Sequence, residues 1–254
     1  MSLLSIDTIS KSYDGVRALH QVSLHVRKET ITGLIGPNGA GKTTLFHLIT
    51  GVEQPTSGTI SFQGIDITSM EPHEIARLGV GRTFQTLQVL GTMTVVENIL
   101  TGMHTRLRGG FLSCGLWLPW IHKGEKGALR QAKEILDFLG LLGRWKWNAA
   151  QLSFGQQKML ELGRALAMQP ALLLLDEPAA GLTPAEIKRL SEKTCLLREQ
   201  GITILIVEHH MGMIMDIADE VAVLHNGELI TEGPPDAVRN DPRVIEAYLQ
   251  GKRN

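Results

Sequence analysis

Eight residues, Gly36-Pro37-Asn38-Gly39-Ala40-Gly41-Lys42-Thr43, have the spacing GxxxxGK[ST]. Glycines at these steps let the backbone curl so that successive N–H groups face one centre, where an anion with several oxygens can sit. The helix expected from Lys42 onward adds the positive end of its dipole. Lys42 is placed to reach the β- and γ-phosphates of a nucleotide, and the Thr43 hydroxyl to ligate Mg²⁺. Far along the chain, Asp176 and Glu177 follow the apolar run Leu172–Leu175. A carboxylate at the C-terminal end of a buried strand beside a phosphate loop can hold Mg²⁺, directly or through water. Neighbours along a strand point to opposite sides. Asp176 is therefore read as the metal arm and Glu177 as the general base for an attacking water. His209 ends the next apolar run, which should lie beside the strand of Asp176. His210 competes with it for the γ-phosphate, and periodicity does not choose between them.

A third constellation, Leu152-Ser153-Phe154-Gly155-Gln156-Gln157, precedes a helix read over Lys158–Met168. Ser153 fits an N-cap, and Gly155 leaves backbone N–H groups open. This is a second helix N-terminus suited to an anion. Taken alone, it serves equally as an ordinary capped helix start.

Short apolar runs alternating with helical patterns must position these groups. Leu24–Gly36 reads as strand, turn, strand; Lys42–Gly51 as a helix stopped by Gly51; Gly58–Gly64 as a short strand. Ala171–Pro178, Ile202–His210 and Glu220–Gly227 are apolar runs of the kind found in a buried parallel sheet, so the class is α/β. From Thr86 to Leu152 the period is helical, with Ala132, Ile135, Leu136 and Leu139 on one face. This region is read as a helical subdomain, about 86–152, inserted in a core of about 1–85 and 153–232. The Gly-rich, Trp-containing stretch His104–Lys126 is expected to be a long loop or a small hairpin of helices. The tail, 233–254, reads as two short helices.

Composition narrows the classes further. The net charge of −1 gives no global drive toward nucleic acid or anionic lipid. Cys114 and Cys195 form no CxxC pair and are expected to be free thiols. The segment MSLLSIDTISKSYD shows no basic start followed by a long apolar core, so no signal peptide is expected. No apolar run reaches the ~18 residues that span a bilayer. If the protein works at a membrane, another chain must cross it.

The ordered set of phosphate loop, Gln85 in RTFQ, LSFGQQ, LLLLDEP and His209 in VEHH resembles the ATP-binding subunits of ABC transporters over nearly the whole chain. The resemblance implies a P-loop NTPase (RecA-like) core with a parallel-rich sheet, a small N-terminal antiparallel β part and the inserted helical subdomain. It implies an ATPase coupled to transport, with ATP and Mg²⁺ as cofactors. Residues Gly36 to Thr44 would hold the phosphates, and Tyr13, in KSYDG, would stack on adenine. Gln85 would sense Mg²⁺ and the γ-phosphate, and His209, not His210, would be the switch histidine. Ser153, Gly155 and Gln156 would contact the nucleotide on an opposite subunit, so that a dimer sandwiches two ATPs. After Glu177-Pro178 such subunits commonly read SGLD. Here Ala180-Gly181-Leu182-Thr183 lacks the acid, which puts that residue's cross-dimer contact in doubt.

The segments around GRTFQTLQVLGTMTVVENIL, DEPAAGLTPAE and GPPDAVRNDPRVIEAYLQG look like the branched-chain amino acid uptake group, whose relatives import urea or short amides. The implied partners are two membrane-spanning permease subunits, a second ATP-binding subunit and, indirectly, an extracytoplasmic substrate-binding protein. The implied place is the cytoplasmic face of the cell membrane, with Thr86–Met103 as the groove for a permease helix. A soluble ABC ATPase is the competing class. Translation types usually carry two cassettes and repair types a long coiled coil, and this chain shows one cassette and no heptad run.

Overall fold

The computed structural model describes residues 2–83, 88–103 and 119–250. The chain opens with Ser2–Tyr13 (β1) and Val16–Arg27 (β2), a hairpin turned by Asp14 and Gly15, both at positive φ (45° and 88°). Ile31–Ile35 (β3) runs into the phosphate loop and then Lys42–Ile49 (α1). Ser57–Phe62 (β4), Ile65–Asp66 (β5), Pro72–Leu78 (α2) and Val80–Arg82 (β6) follow. The helical stretch comprises Val95–Gly102 (α3) and Pro119–Phe138 (α4), two 3₁₀ turns, and Phe154–Ala167 (α5). The chain returns through Leu172–Asp176 (β7), Pro184–Glu199 (α6), Thr203–Val207 (β8), Met211–Ile217 (α7) and Glu220–His225 (β9). It finishes with Glu228–Gly233 (β10), Pro235–Arg239 (α8) and Pro242–Gln250 (α9).

Two sheets result. One is antiparallel, in the order β2-β1-β4-β5; the other is β10-β9-β3-β8-β7-β6, parallel except for the β9–β10 pair. Every residue of β3, β7 and β8 is buried, as befits central strands covered on both faces. Alternation deals their side chains to two cores. Leu173, Leu175, Ile204 and Ile206 face a core shared with α3, α4 and α5. Leu172, Leu174, Leu205 and Val207 face a second core with α1 and the antiparallel sheet. Burial of each leucine contributes roughly 1.5–3 kcal/mol. Asp176 continues the face of Leu172 and Leu174, so strand geometry alone aims it at the side where α1 packs.

Three boundaries differ from the sequence reading. The helix read from Arg130 begins at Pro119, so Pro119–Lys126, expected as part of a long loop or a small hairpin of helices, is the first part of α4; the rest of the His104–Lys126 stretch, like Cys114, lies outside the described residues. The helix after Ser153 starts at Phe154 and not at Lys158, because the Ser153 cap acts on the first turn. The strand before His209 stops at Val207, which leaves His209 on a loop. The short strand β6, whose three residues carry no readable period, was not foreseen in the sequence.

The helices α3 and α5 approach through glycine. A Cβ on Gly102 would stand 2.2 Å from the Arg164 carbonyl oxygen and 2.9 Å from Ala167 Cβ. Gly102→Ala is expected to force the two helices apart and lower stability by about 1–3 kcal/mol, read as a fall in the urea midpoint with an unchanged slope. At the same C-terminal end of α5 a second glycine comes close: a Cβ on Gly81 would lie 3.1 Å from Pro170 Cβ and 3.5 Å from the Ala165 carbonyl oxygen.

Candidate functional site

The phosphate loop joins β3 to α1 and can take its shape only with glycine at two steps. Gly36 (φ 152°) would put a Cβ 2.1 Å from the Leu224 carbonyl oxygen of β9. Gly41 (φ 103°), the N-cap of α1, would put one 2.8 Å from the Ala18 carbonyl oxygen. The loop is thus pressed between β9 and β2. Lys42 is 6% exposed, and its Nζ donates to the Gly36 and Pro37 carbonyl oxygens at 2.7 and 2.9 Å. Burial pushes its pKa down, opposed by the carboxylates of Glu177 and Asp176. The loop from Asn38 to Thr44 lines a cleft of about 690 Å³, together with Ala18, Glu177 and His209.

Asp176 is 1% exposed at the end of β7. Its Oδ2 accepts from Arg82 at 2.8 Å, its backbone N–H donates to Thr83 Oγ1 at 3.3 Å, and its buried Oδ1 has no hydrogen-bond partner among the described residues. A buried carboxylate oxygen with no partner among the described residues, close enough to the phosphate loop to act on the Lys42 ammonium, fits a hard cation that takes oxygen ligands. Glu177 departs from simple alternation: it lies past the strand end at φ 46°, and this left-handed step turns it into the cleft. Glu177 thus lines the cleft, whereas Asp176, buried at the strand end, is not among the described residues lining it. His209 Nε2 stands 2.8 Å from Glu177 Oε1. His210 does something else: its Nδ1 accepts the Met213 N–H at 3.2 Å as the N-cap of α7. The structure thus separates the two histidines that periodicity could not.

Tyr13 stands at the end of β1, and its hydroxyl donates to Glu53 Oε2. Lys11 Nζ lies 4.8 Å from its ring centroid and 3.0 Å from Glu53. Burial raises the Tyr13 pKa, with Glu53 adding to the rise and the Thr44 side chain opposing it. The tyrosine is thereby held near the first turn of α1, although it is not among the described residues lining the cleft. Ser153 and Gln156 form a reciprocal capping box, Gln156 N–H to Ser153 Oγ at 3.4 Å and Ser153 N–H to Gln156 Oε1 at 3.1 Å. Gly155 faces Glu186, whose Oε1 would lie 2.0 Å from a Cβ there. These three residues also stand apart from the described lining of the cleft. Thr183, found where an acid is usual, caps α6 in a capping box with Glu186. Gln85 lies outside the described residues.

Sequence reasoning missed Ala18, Arg82 and Thr83. Arg82 sits in the quoted RTFQ segment, but the strand that buries it carries no readable period, so nothing local marked it.

Comparison with known proteins gives this geometry a family. The model of the ABC transporter family matches residues 19–180, and a second, described as branched-chain amino acid ATP-binding cassette transporter, matches 228–249. The high-affinity branched-chain amino acid transport ATP-binding protein LivG of Escherichia coli (strain K12) is 41% identical over 248 residues, 97% of each chain. BraF of Pseudomonas aeruginosa, described in the same words, is 38% identical with the same coverage. A crystal structure of the ADP conformation of an ATP-binding cassette of an ABC transporter superposes with a TM-score of 0.86 at 38% identity, covering 98% of this chain and 99% of that one. The phosphate loop, the cleft it lines and the cassette fold around it therefore have one explanation: the chain belongs to the ABC transporter family, as one of its ATP-binding cassettes.

Proposed function

We propose that this chain hydrolyses ATP at the cleft of Asn38–Thr44 to drive uptake of branched-chain amino acids through partner permease subunits. The observation that carries the hydrolytic part is the 2.8 Å pairing of Glu177 with His209 at the mouth of a phosphate loop. The loop N–H groups and Lys42 bind and orient the phosphates. Glu177 aligns a water and takes its proton, while His209 holds the carboxylate and reaches toward the γ-phosphate. Thr43 and Asp176 would hold Mg²⁺, with Gln85 as a further ligand; when bound, the ion neutralises charge on the phosphate oxygens. Tyr13 supplies a face for adenine.

Ser153, Gly155 and Gln156, set away from the cleft of their own chain, complete the nucleotide site of a second ATP-binding subunit in an ATP-sandwich dimer. The substrate class is supported by the names of LivG and BraF and by the C-terminal match. No helix among the described residues is long and apolar enough to cross a membrane. In this reading two permease subunits supply the path, this chain docks on their cytoplasmic face, and an extracytoplasmic binding protein delivers the substrate.

The test is ATPase activity of the chain assembled with its co-expressed permease subunits in nanodiscs, with substrate-loaded binding proteins added in turn. Stimulation by the branched-chain amino acid type and not by the urea type is expected. Stimulation by the urea type alone would replace the substrate, and indifference to all of them would remove the coupling to transport.

A further inference from the structure

One buried carboxylate near the cleft has no part in the chemistry above. Glu208 follows β8 and is 3% exposed. Its Oε1 accepts the Ala179 N–H at 2.6 Å; its Oε2 accepts the N–H groups of His209 at 3.0 Å and His210 at 3.2 Å. The donors belong to two loops. One leaves β7 through Glu177 and Ala179; the other leaves β8 through His209. The strand ladder joins these chains as far as the Asp176–Val207 pair, and the Glu177 N–H still reaches the Val207 carbonyl oxygen at 2.9 Å. Past that point, two side-chain links join the loops: the Glu177–His209 contact itself and the buried Glu208 carboxylate, which alone bonds to the backbone of both.

A buried carboxylate is costly unless its oxygens are hydrogen-bonded, and three backbone donors meet that need. An amide there would have one acceptor oxygen, and its NH₂ would face a backbone N–H. Both oxygens of this side chain are thus used as acceptors at the junction. We propose that Glu208 is a positioning residue for hydrolysis: by tying Ala179 to the His209 loop it fixes the separation of Glu177 Oε1 and His209 Nε2. The same tie links the start of the Ala180–Thr183 segment to the histidine loop, so displacement of that segment is passed to the Glu177–His209 pair. This inference rests on the reading of Glu177 as the base.

The test uses the full chain in five forms: wild type, Glu208→Gln, Glu208→Asp, Glu177→Gln and the double variant of Glu177→Gln with Glu208→Gln. The aspartate variant keeps the charge and can still bond the N–H groups that follow it, as in an Asx turn, but is one methylene shorter toward Ala179. It carries the test if the glutamine variant does not fold. Both substitutions at Glu208 are expected to lower kcat by on the order of 10- to 100-fold, with KM and the affinity for a fluorescent ATP analogue within about twofold, well under the 1.4 kcal/mol of a tenfold change. Adding Glu208→Gln to Glu177→Gln should lower the rate no further. A kcat near wild type in the Glu208 variants, with Glu177→Gln inactive, overturns the positioning role and leaves the base assignment standing. Loss of nucleotide affinity in step with kcat also overturns it, since a general structural defect would do that. Full turnover in Glu177→Gln removes the base assignment and this inference with it; which single variant stays active tells the two failures apart.

Discussion

Glu177→Gln is expected to cut the steady-state ATPase rate by on the order of 100- to 10,000-fold while ATP still binds. The amide has nearly the shape of the carboxylate and can occupy the same left-handed step after β7 (φ 46° at Glu177). It keeps an oxygen for His209, which lies 2.8 Å from the carboxylate in the wild type. What it loses is the capacity to take a proton from water. Binding should persist, because the N–H groups of the phosphate loop and Lys42 are untouched. One negative charge is also removed from the surroundings of the Lys42 ammonium, which leaves more of its field for the phosphates. Turnover measured with a coupled phosphate assay, beside calorimetric ATP affinity, separates the two effects. A rate near wild type at unchanged affinity would take the proton-accepting role away from Glu177.

Lys42→Ala should have the larger effect on binding. The ammonium is the buried cation of the loop, and it also bridges two carbonyl oxygens, those of Gly36 and Pro37. Without it, the phosphates lose their main counter-charge and the loop loses its internal brace. In the wild type, ATP at 100 times its Kd should stabilise the fold by about 2.7 kcal/mol. The variant should show almost none of this, so its Tm should no longer move with ATP. A nucleotide-dependent rise equal to that of the wild type would mean that the N–H cradle alone holds the phosphates.

Much of this site was legible because its signals are local. The phosphate loop is eight consecutive residues, and β3, β7 and β8 are mostly apolar runs, Leu172–Leu175 and Ile204–Val207 among them, whose burial follows from their composition. What stayed hidden depends on contacts between distant segments or on a single backbone angle. Arg82 meets Asp176 across a sequence separation of 94 residues. Glu208 reads as one more acid after an apolar run until Ala179 is seen beside it. Alternation placed Asp176 correctly and failed for Glu177, because one left-handed residue ends the strand period. His209 and His210 are chemically alike in sequence; only the start of α7 shows that His210 is used as its cap. The N-terminal part of α4 was obscured by glycines at Gly124 and Gly127, which lower helix propensity without forbidding the helix.

The close contact of Gly81 with Ala165 and Pro170 sits at one end of α5, and the Ser153 capping box sits at the other. A helix of that length is about 21 Å long at 1.5 Å per residue, and it behaves as a lever whose fulcrum is the glycine contact. Tilting it by about 10° around that end carries the Ser153 end through roughly 4 Å, more than the length of a hydrogen bond. A small angular error at the fulcrum is thus magnified at the tip. The tightness of packing around Gly81 thus limits how far the Ser153 end can swing.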